Sequence, residues 1–236
     1  IGYMSPKRKP QPAMDSGKRS FLTATVMSAV GLSGLSRIAR AETARENPTP
    51  LPLRQPVSPP GSGSHAHFLS ACTACHLCVS QCPGHVLRPA LFEYGARGFM
   101  KPLLDYQQGF CNFDCTRCSD VCPVGAIQPL TVAAKKTTQM GRVVFKQQNC
   151  IVYQQNTDCG ACAEHCPTKA VFMVPYGDVF IPDTNPELCV GCGACEHVCP
   201  AVPYKAIYVE GLPEHGVADK PESRKQKLDD FGDFPF

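Results

Sequence analysis

The 16 cysteines of this chain fall into four groups of four, all between positions 72 and 199. They are Cys72, Cys75, Cys78 and Cys82 before Pro83; Cys111, Cys115, Cys118 and Cys122 before Pro123; Cys150, Cys159, Cys162 and Cys166 before Pro167; and Cys189, Cys192, Cys195 and Cys199 before Pro200. The last three cysteines of every group keep the same spacing, and only the first gap varies: one extra residue in the second group, and the stretch "IVYQQNTD" in the third. No cysteine is left over. With 23 prolines, 19 glycines and no tryptophan in 236 residues, the chain cannot build one large aliphatic core. Small modules bury too little surface to hold themselves together, so something other than apolar burial must staple them.

The spacing says what the staple is. Cys72-Thr-Ala-Cys75-His76 has the C-x-x-C-H form used for haem attachment. Haem there would strand Cys78 and Cys82, however, and no other group repeats the histidine. Structural zinc favours separated C-x2-C pairs, and disulfide frameworks do not repeat one spacing fourfold. C-x2-C-x2-C-x3-C-P is the run that holds [4Fe–4S] clusters. A cubane needs thiolates at tetrahedral corners, and a tight loop of small residues lets the backbone wrap it. In "CVGCGAC", Gly191, Gly193 and Ala194 supply that loop, with amides free to point at sulfur. The proline after each group redirects the chain without needing a donor. All 16 cysteines are therefore candidate ligands, for four [4Fe–4S] clusters.

After each Cys-Pro comes a short apolar stretch that predicts a strand ("GHVL", "VGAI", "TKAV", "AVPYKAIYV"). The fold class expected is α+β: two tandem ferredoxin-like modules of short strands and helices, at 66–140 and 141–212. A signal or signal-anchor segment at 1–46 and a Pro/Gly/Ser-rich linker at 47–65 precede them. A flexible tail at 213–236 follows. Residues 1–41 hold seven of the 23 basic residues and one of the 20 acidic ones. Lys7, Arg8, Lys9, Lys18 and Arg19 precede the uncharged run Ser20–Ser36, and Ala39-Arg40-Ala41 is a cleavage candidate. Lys18-Arg19-Ser20-Phe21-Leu22 resembles the twin-arginine export signal, with lysine in place of the first arginine. Export in the folded state suits clusters built in a reducing cytoplasm. No nucleic-acid motif accompanies the basic end.

The cysteine groups and the signal-like segment together resemble the exported four-cluster polyferredoxins of the NapG/MauM type. The resemblance implies an electron-transfer subunit, not an enzyme by itself, located outside the cytoplasm as a soluble or membrane-tethered protein. It implies a membrane quinol-oxidising partner, or a membrane ferredoxin-type protein, as donor, and an extracytoplasmic reductase as acceptor. The start at Ile1 would suit the C-terminal part of a fusion with such a membrane protein. Two alternatives remain: a β-type subunit feeding a molybdopterin partner, and a redox sensor or assembly factor. In two-cluster ferredoxins the fourth cysteine of one group serves the other group's cube. That crossing implies Cys72/Cys75/Cys78 with Cys122, and Cys111/Cys115/Cys118 with Cys82. It also implies Cys150/Cys159/Cys162 with Cys199, and Cys189/Cys192/Cys195 with Cys166. A nested arrangement, first group with fourth and second with third, is the alternative.

No dinucleotide fingerprint, phosphate loop or nucleophile–base pair is present. His76 reads as a surface side chain beside a cluster, His165 and His197 as surface side chains or as groups that tune a potential by hydrogen bonding, and Arg117 as either a solvated residue or one that raises a cluster's potential. Four oxidised cubes at roughly −2 each would leave residues 42–236 at about −11, so a partner's docking face should be basic. In the tail, Phe231, Phe234 and Phe236 alternate with Asp229, Asp230 and Asp233, which suits either a solvated end or a segment that docks on a partner. The export reading has a direct test. Changing Lys18 and Arg19 together to Gln should leave cluster-loaded protein in the cytoplasm on cell fractionation; unaltered export would refute the twin-arginine assignment.

Overall fold

Spacers of two and three residues leave room only for single helical turns around the cysteines. The computed structural model describes residues 48–219; the expected signal segment and the end of the chain from 220 lie outside the described residues. Seven helices occur among them: α1 (His65–Ala71), α2 (Leu77–Ser80), α3 (Arg117–Asp120), α4 (Val132–Lys135), α5 (Ile151–Gln155), α6 (Ala161–Glu164) and α7 (Ala194–Val198). The third cysteine of each group sits on one of them: Cys78 on α2, Cys118 on α3, Cys162 on α6 and Cys195 on α7. Helices this short have no stability of their own, so the groups they carry must be held from outside. None of the described helices is long and apolar enough to cross a membrane.

Three antiparallel strand pairs complete the α+β fold. β1 (Leu87–Pro89) pairs with β2 (Pro102–Leu104), and β4 (Val171–Tyr176) with β5 (Val179–Thr184). Each hairpin follows a Cys-Pro, the first after Pro83 and the second after Pro167. The β4–β5 turn is Gly177-Asp178, with Gly177 at φ +61, which is the left-handed backbone a two-residue hairpin loop needs. β3 (Thr138–Phe145) pairs with β6 (Ile207–Val217), matching Val143 to Val209 and Phe145 to Ile207. This third pair closes the second half of the chain. Its counterpart in the first half is a single bond, Gln128 N–H to the Gly61 carbonyl at 2.9 Å, together with an isolated bridge from Val57 to Leu104.

There are two apolar cores, one per half. Phe68, Val86, Leu104, Tyr106 and Ile127 fill the first; Val152, Val171, Leu188 and Ile207 fill the second. The β3–β6 pair contributes to both, because Met140 and Val209 pack in the first core while Val143 and Ile207 pack in the second. The expected module limits at 140 and 212 therefore fall inside strands. The tail expected from 213 is still strand as far as Val217, with His215 N–H donating to the Gly63 carbonyl at 2.7 Å.

The expected linker also departs from expectation. Val57–Ser62 is buried, Gly211 N–H donates to the Gln55 carbonyl at 3.0 Å, and Ser64 caps α1 by accepting from His67 N–H. Prolines keep this strap extended without unpaired amides, so it packs as an edge on the first core. Arg54 of the strap donates at 2.6 Å to Glu196, whose other oxygen accepts from Val209 N–H at 2.9 Å. With both oxygens partnered, Glu196 tolerates being 3 % exposed.

Tyr106 locks the halves together. It is 1 % exposed, and its hydroxyl donates to the Gly191 carbonyl at 2.5 Å. Its ring lies against Gly193, where an added Cβ would stand 1.9 Å from Cδ1, and Gly193 has φ +78. Both facts forbid a side chain. Gly193→Ala should cost about 1–3 kcal/mol in backbone strain alone, with the displaced ring adding to it. The measurement is the temperature at which anaerobic protein loses its visible cluster absorbance, which should fall clearly below wild type.

Candidate iron–sulfur centres

The first and fourth cysteine groups open on a loop that folds back on its own sulfur. Gly191 N–H donates to Cys189 Sγ at 3.3 Å and Ala74 N–H to Cys72 Sγ at 3.4 Å. The two loops have the same shape: Gly191 and Gly193 at φ +78 match Ala74 at +55 and His76 at +61. The first group adopts the glycine conformation without glycine, at a cost of about 1–2 kcal/mol per residue. His76 is half-buried there, its Nε2 bonded to the Met100 carbonyl at 2.7 Å. The amides thus converge on sulfur as the sequence of the fourth loop suggests.

The tertiary structure then gathers the 16 cysteines around four cavities. Cys72, Cys75, Cys78 and Cys122 line one; Cys82, Cys111, Cys115 and Cys118 another. Cys150, Cys159, Cys162 and Cys199 line the third, and Cys166, Cys189, Cys192 and Cys195 the fourth. Counting their mouths, these cavities enclose about 310, 350, 340 and 280 Å³ in that order, so all four suit a guest of one size. Each draws on one pair of groups, first with second or third with fourth, and takes its fourth cysteine from the other member of the pair. Among the described residues no three His, Cys, Asp or Glu side chains are placed to hold a single metal ion, and the cysteines are unpaired. Thiols spread around a cavity of this size fit the corners of a cubane better than they fit zinc.

Burial raises the proton affinity of several of these thiols, and for Cys78 and Cys162 their own cavity partners raise it further. Burial, then Cys72 and Cys75, push Cys78 up to about 12. Burial, then Cys199, Cys159 and Cys150, push Cys162 up to about 12. Cys189 is raised to about 11 and Cys192 to about 12, in both cases chiefly by burial. Weaker influences cross between cavities and reveal their neighbours. Cys78 acts on Cys118, Cys111 on Cys192, and Cys162 on Cys195. The second of these neighbours is bonded directly: Cys111 N–H donates to the Cys192 carbonyl at 2.9 Å, beside Tyr106.

The histidines correct the sequence reading in part. His165 is exposed and bonds its own helix, Nδ1 to the Ala161 carbonyl at 2.9 Å. His197 is not a surface side chain: it is half-buried at the junction of the halves, Nδ1 donating to the Tyr106 carbonyl at 3.1 Å and its ring 5.8 Å from that of Phe110. Tyr106 itself was invisible as a functional residue in the sequence, because nothing local to "LLDYQQGF" signals contact with Gly191.

Two families, both described as 4Fe-4S dicluster domain, match the chain: one over residues 71–127, the other twice, over 110–170 and 155–202. The ferredoxin-type protein NapG of Escherichia coli K12 is 30% identical over 209 residues, covering 83% of this chain and 85% of its own length. The methylamine utilization ferredoxin-type protein MauM of Methylorubrum extorquens is 31% identical, covering 77% of this chain and 84% of its own. The ferredoxin-type protein NapF of Escherichia coli K12 is 29% identical over 65% of this chain and 85% of its own length.

Thiols raised this far hold their protons at neutral pH until iron displaces them. The loaded state thus binds fewer protons than the empty one, so loading strengthens as pH rises toward the thiol values of about 11 and 12 and weakens as pH falls. Each displaced proton is worth about tenfold per pH unit. Under anaerobic conditions a chelator should strip iron much faster at acid than at mildly alkaline pH; equal rates would show the thiols to be ionised already.

Proposed function

Because this chain belongs to the ferredoxin-type proteins of the NapG/MauM kind, we propose that its cysteines ligate in the four crossed sets that line the cavities and form one electron wire. The protein carries four [4Fe–4S] clusters and transfers electrons through them. Each cluster supplies a one-electron carrier; the chain's own residues determine where the carriers stand and what separates them. Cys72/Cys75/Cys78/Cys122 hold the first, and Cys82/Cys111/Cys115/Cys118 the second. Cys166/Cys189/Cys192/Cys195 hold the third along the wire, and Cys150/Cys159/Cys162/Cys199 the last.

One observation carries this order: the Cys111 N–H to Cys192 carbonyl bond, which joins the ligand loops of the two inner sets across the module junction. The neighbouring pairs Cys78–Cys118 and Cys162–Cys195 extend the line outward on each side. The outer sets are then the ends. Cys75 is exposed, with exposed Leu77 and Val124 on the same cavity wall, so one end is open to a partner. Tyr106, Gly193 and His197 hold the two halves in register and keep water out of the crossing.

Working from the N-terminal sequence, the protein acts outside the cytoplasm, soluble or tethered, between a membrane quinol-oxidising partner and an extracytoplasmic acceptor. The basic stretch before Ser20–Ser36 supports that location. Its role is that of a carrier subunit without a reaction of its own.

The crossed sets make a paired prediction. Cys122→Ser and Cys72→Ser should alter the same one of four EPR signals, and Cys82→Ser and Cys111→Ser should together alter a different one. If Cys82→Ser instead disturbs the signal that Cys189→Ser disturbs, the groups are nested and the wire is wrong.

A further inference from the structure

Lys135, the last residue of α4, is 5 % exposed, although a buried ammonium ordinarily needs a carboxylate partner. Among the described residues it makes no ion pair, unlike Arg54, Arg88, Lys136 and Arg142. Its Nζ donates instead to the carbonyls of Asn112 and, at 3.4 Å, Phe113. These residues lie in the gap between Cys111 and Cys115, which is one residue longer than in the first and fourth groups.

α4 is built to aim this side chain. Thr131 caps it, Oγ1 accepting from Ala134 N–H at 3.1 Å, and Lys135 N–H closes the turn on the Thr131 carbonyl at 2.9 Å. Lys136 grips the same loop from outside, 2.5 Å from Asp114 and over the Phe113 ring at 5.3 Å. Among the influences on Cys111 that oppose burial, the Lys135 ammonium is the largest, and it also acts on Cys118. A buried cation whose oxygen partners are carbonyls needs a counter-charge, and the Cys111 sulfur stands within its reach. The thiolate-bound centre at Cys82/Cys111/Cys115/Cys118 supplies one.

We propose that Lys135 is an electrostatic positioning residue, holding the potential of that centre above what its ligands alone would give. The inference rests on the ligand set proposed above. Reduction adds one negative charge to the centre, and a cation fixed beside it in a low-dielectric interior stabilises the reduced form. Arg117, the sequence candidate for this role, lies exposed on the cavity wall, where water and salt screen it. Because Cys111 abuts Cys192, an electron is favoured at the crossing between the halves.

The test is an EPR-monitored redox titration of the anaerobic full chain as wild type, Lys135→Gln, Lys135→Arg and Cys115→Ser, with iron counted in each. Gln should keep the full iron complement and lower one midpoint potential, that of the signal Cys115→Ser alters; Arg should leave it in place. Four unmoved midpoints in the Gln variant, or a shift in a different signal, overturn the proposal. Should Gln lose iron, Arg decides. Full loading with an unshifted midpoint supports the charge, while a shifted or under-loaded Arg variant overturns it. If Cys82→Ser and Cys115→Ser alter different signals, the ligand set has failed; if they agree and Lys135→Gln moves nothing, Lys135 alone has.

Discussion

Burial pushes the thiols of Cys78, Cys162, Cys189 and Cys192 toward keeping their protons, and the short elements that carry these sulfurs depend on whatever holds them. Four helices of one turn each carry the third cysteine of a group, and none would persist alone. Holding a cluster would need these sulfurs ionised, and would close loops that the apolar content alone does not. The cores around them are correspondingly thin: Phe68 and Tyr106 in one half, Val152 and Leu188 in the other, with the cysteines themselves counted among the buried groups. Folding and metal loading would then be coupled, with proton release linking them.

The halves do not simply follow one another. β3 and β6 are shared between two cores, the strap at Val57–Ser62 is folded in, and Arg54 reaches Glu196 across the chain. Rigidity matters here because a wire conducts only if its gaps are fixed. The crossing at Cys111 and Cys192 is braced by a tyrosine hydroxyl, a histidine and a glycine that admits no side chain. Polar groups placed there are all partnered, which lets them define one geometry without the penalty of an unmet bond.

Local spacing was enough to read the chemistry, since a C-x2-C-x2-C-x3-C-P loop is a self-contained device whose geometry depends on the residues inside it. The αL positions illustrate this: Gly191 and Gly193 advertise the turn, and Ala74 and His76 adopt it because the spacing demands it. The prolines of the strap misled for the opposite reason. Composition reports that a segment is extended, and only a neighbouring surface decides whether it packs.

The sequence by itself determined the kind and number of the clusters and marked all 16 cysteines as candidate ligands, because those readings depend on residue type at short range. It left open which groups share a cavity, and the matching families illustrate why: one spans the first and second groups, the other also the second and third. Near-identical repeats cannot encode their own pairing. The tertiary structure decided it through contacts between distant segments, pairing β3 with β6, Tyr106 with Gly191 and Cys111 with Cys192. It likewise shows Arg117 exposed on the wall of the second cavity and Lys135 buried beside its ligand loop. Burial sets the dielectric around a charge, and burial is a property of the fold rather than of any stretch of sequence.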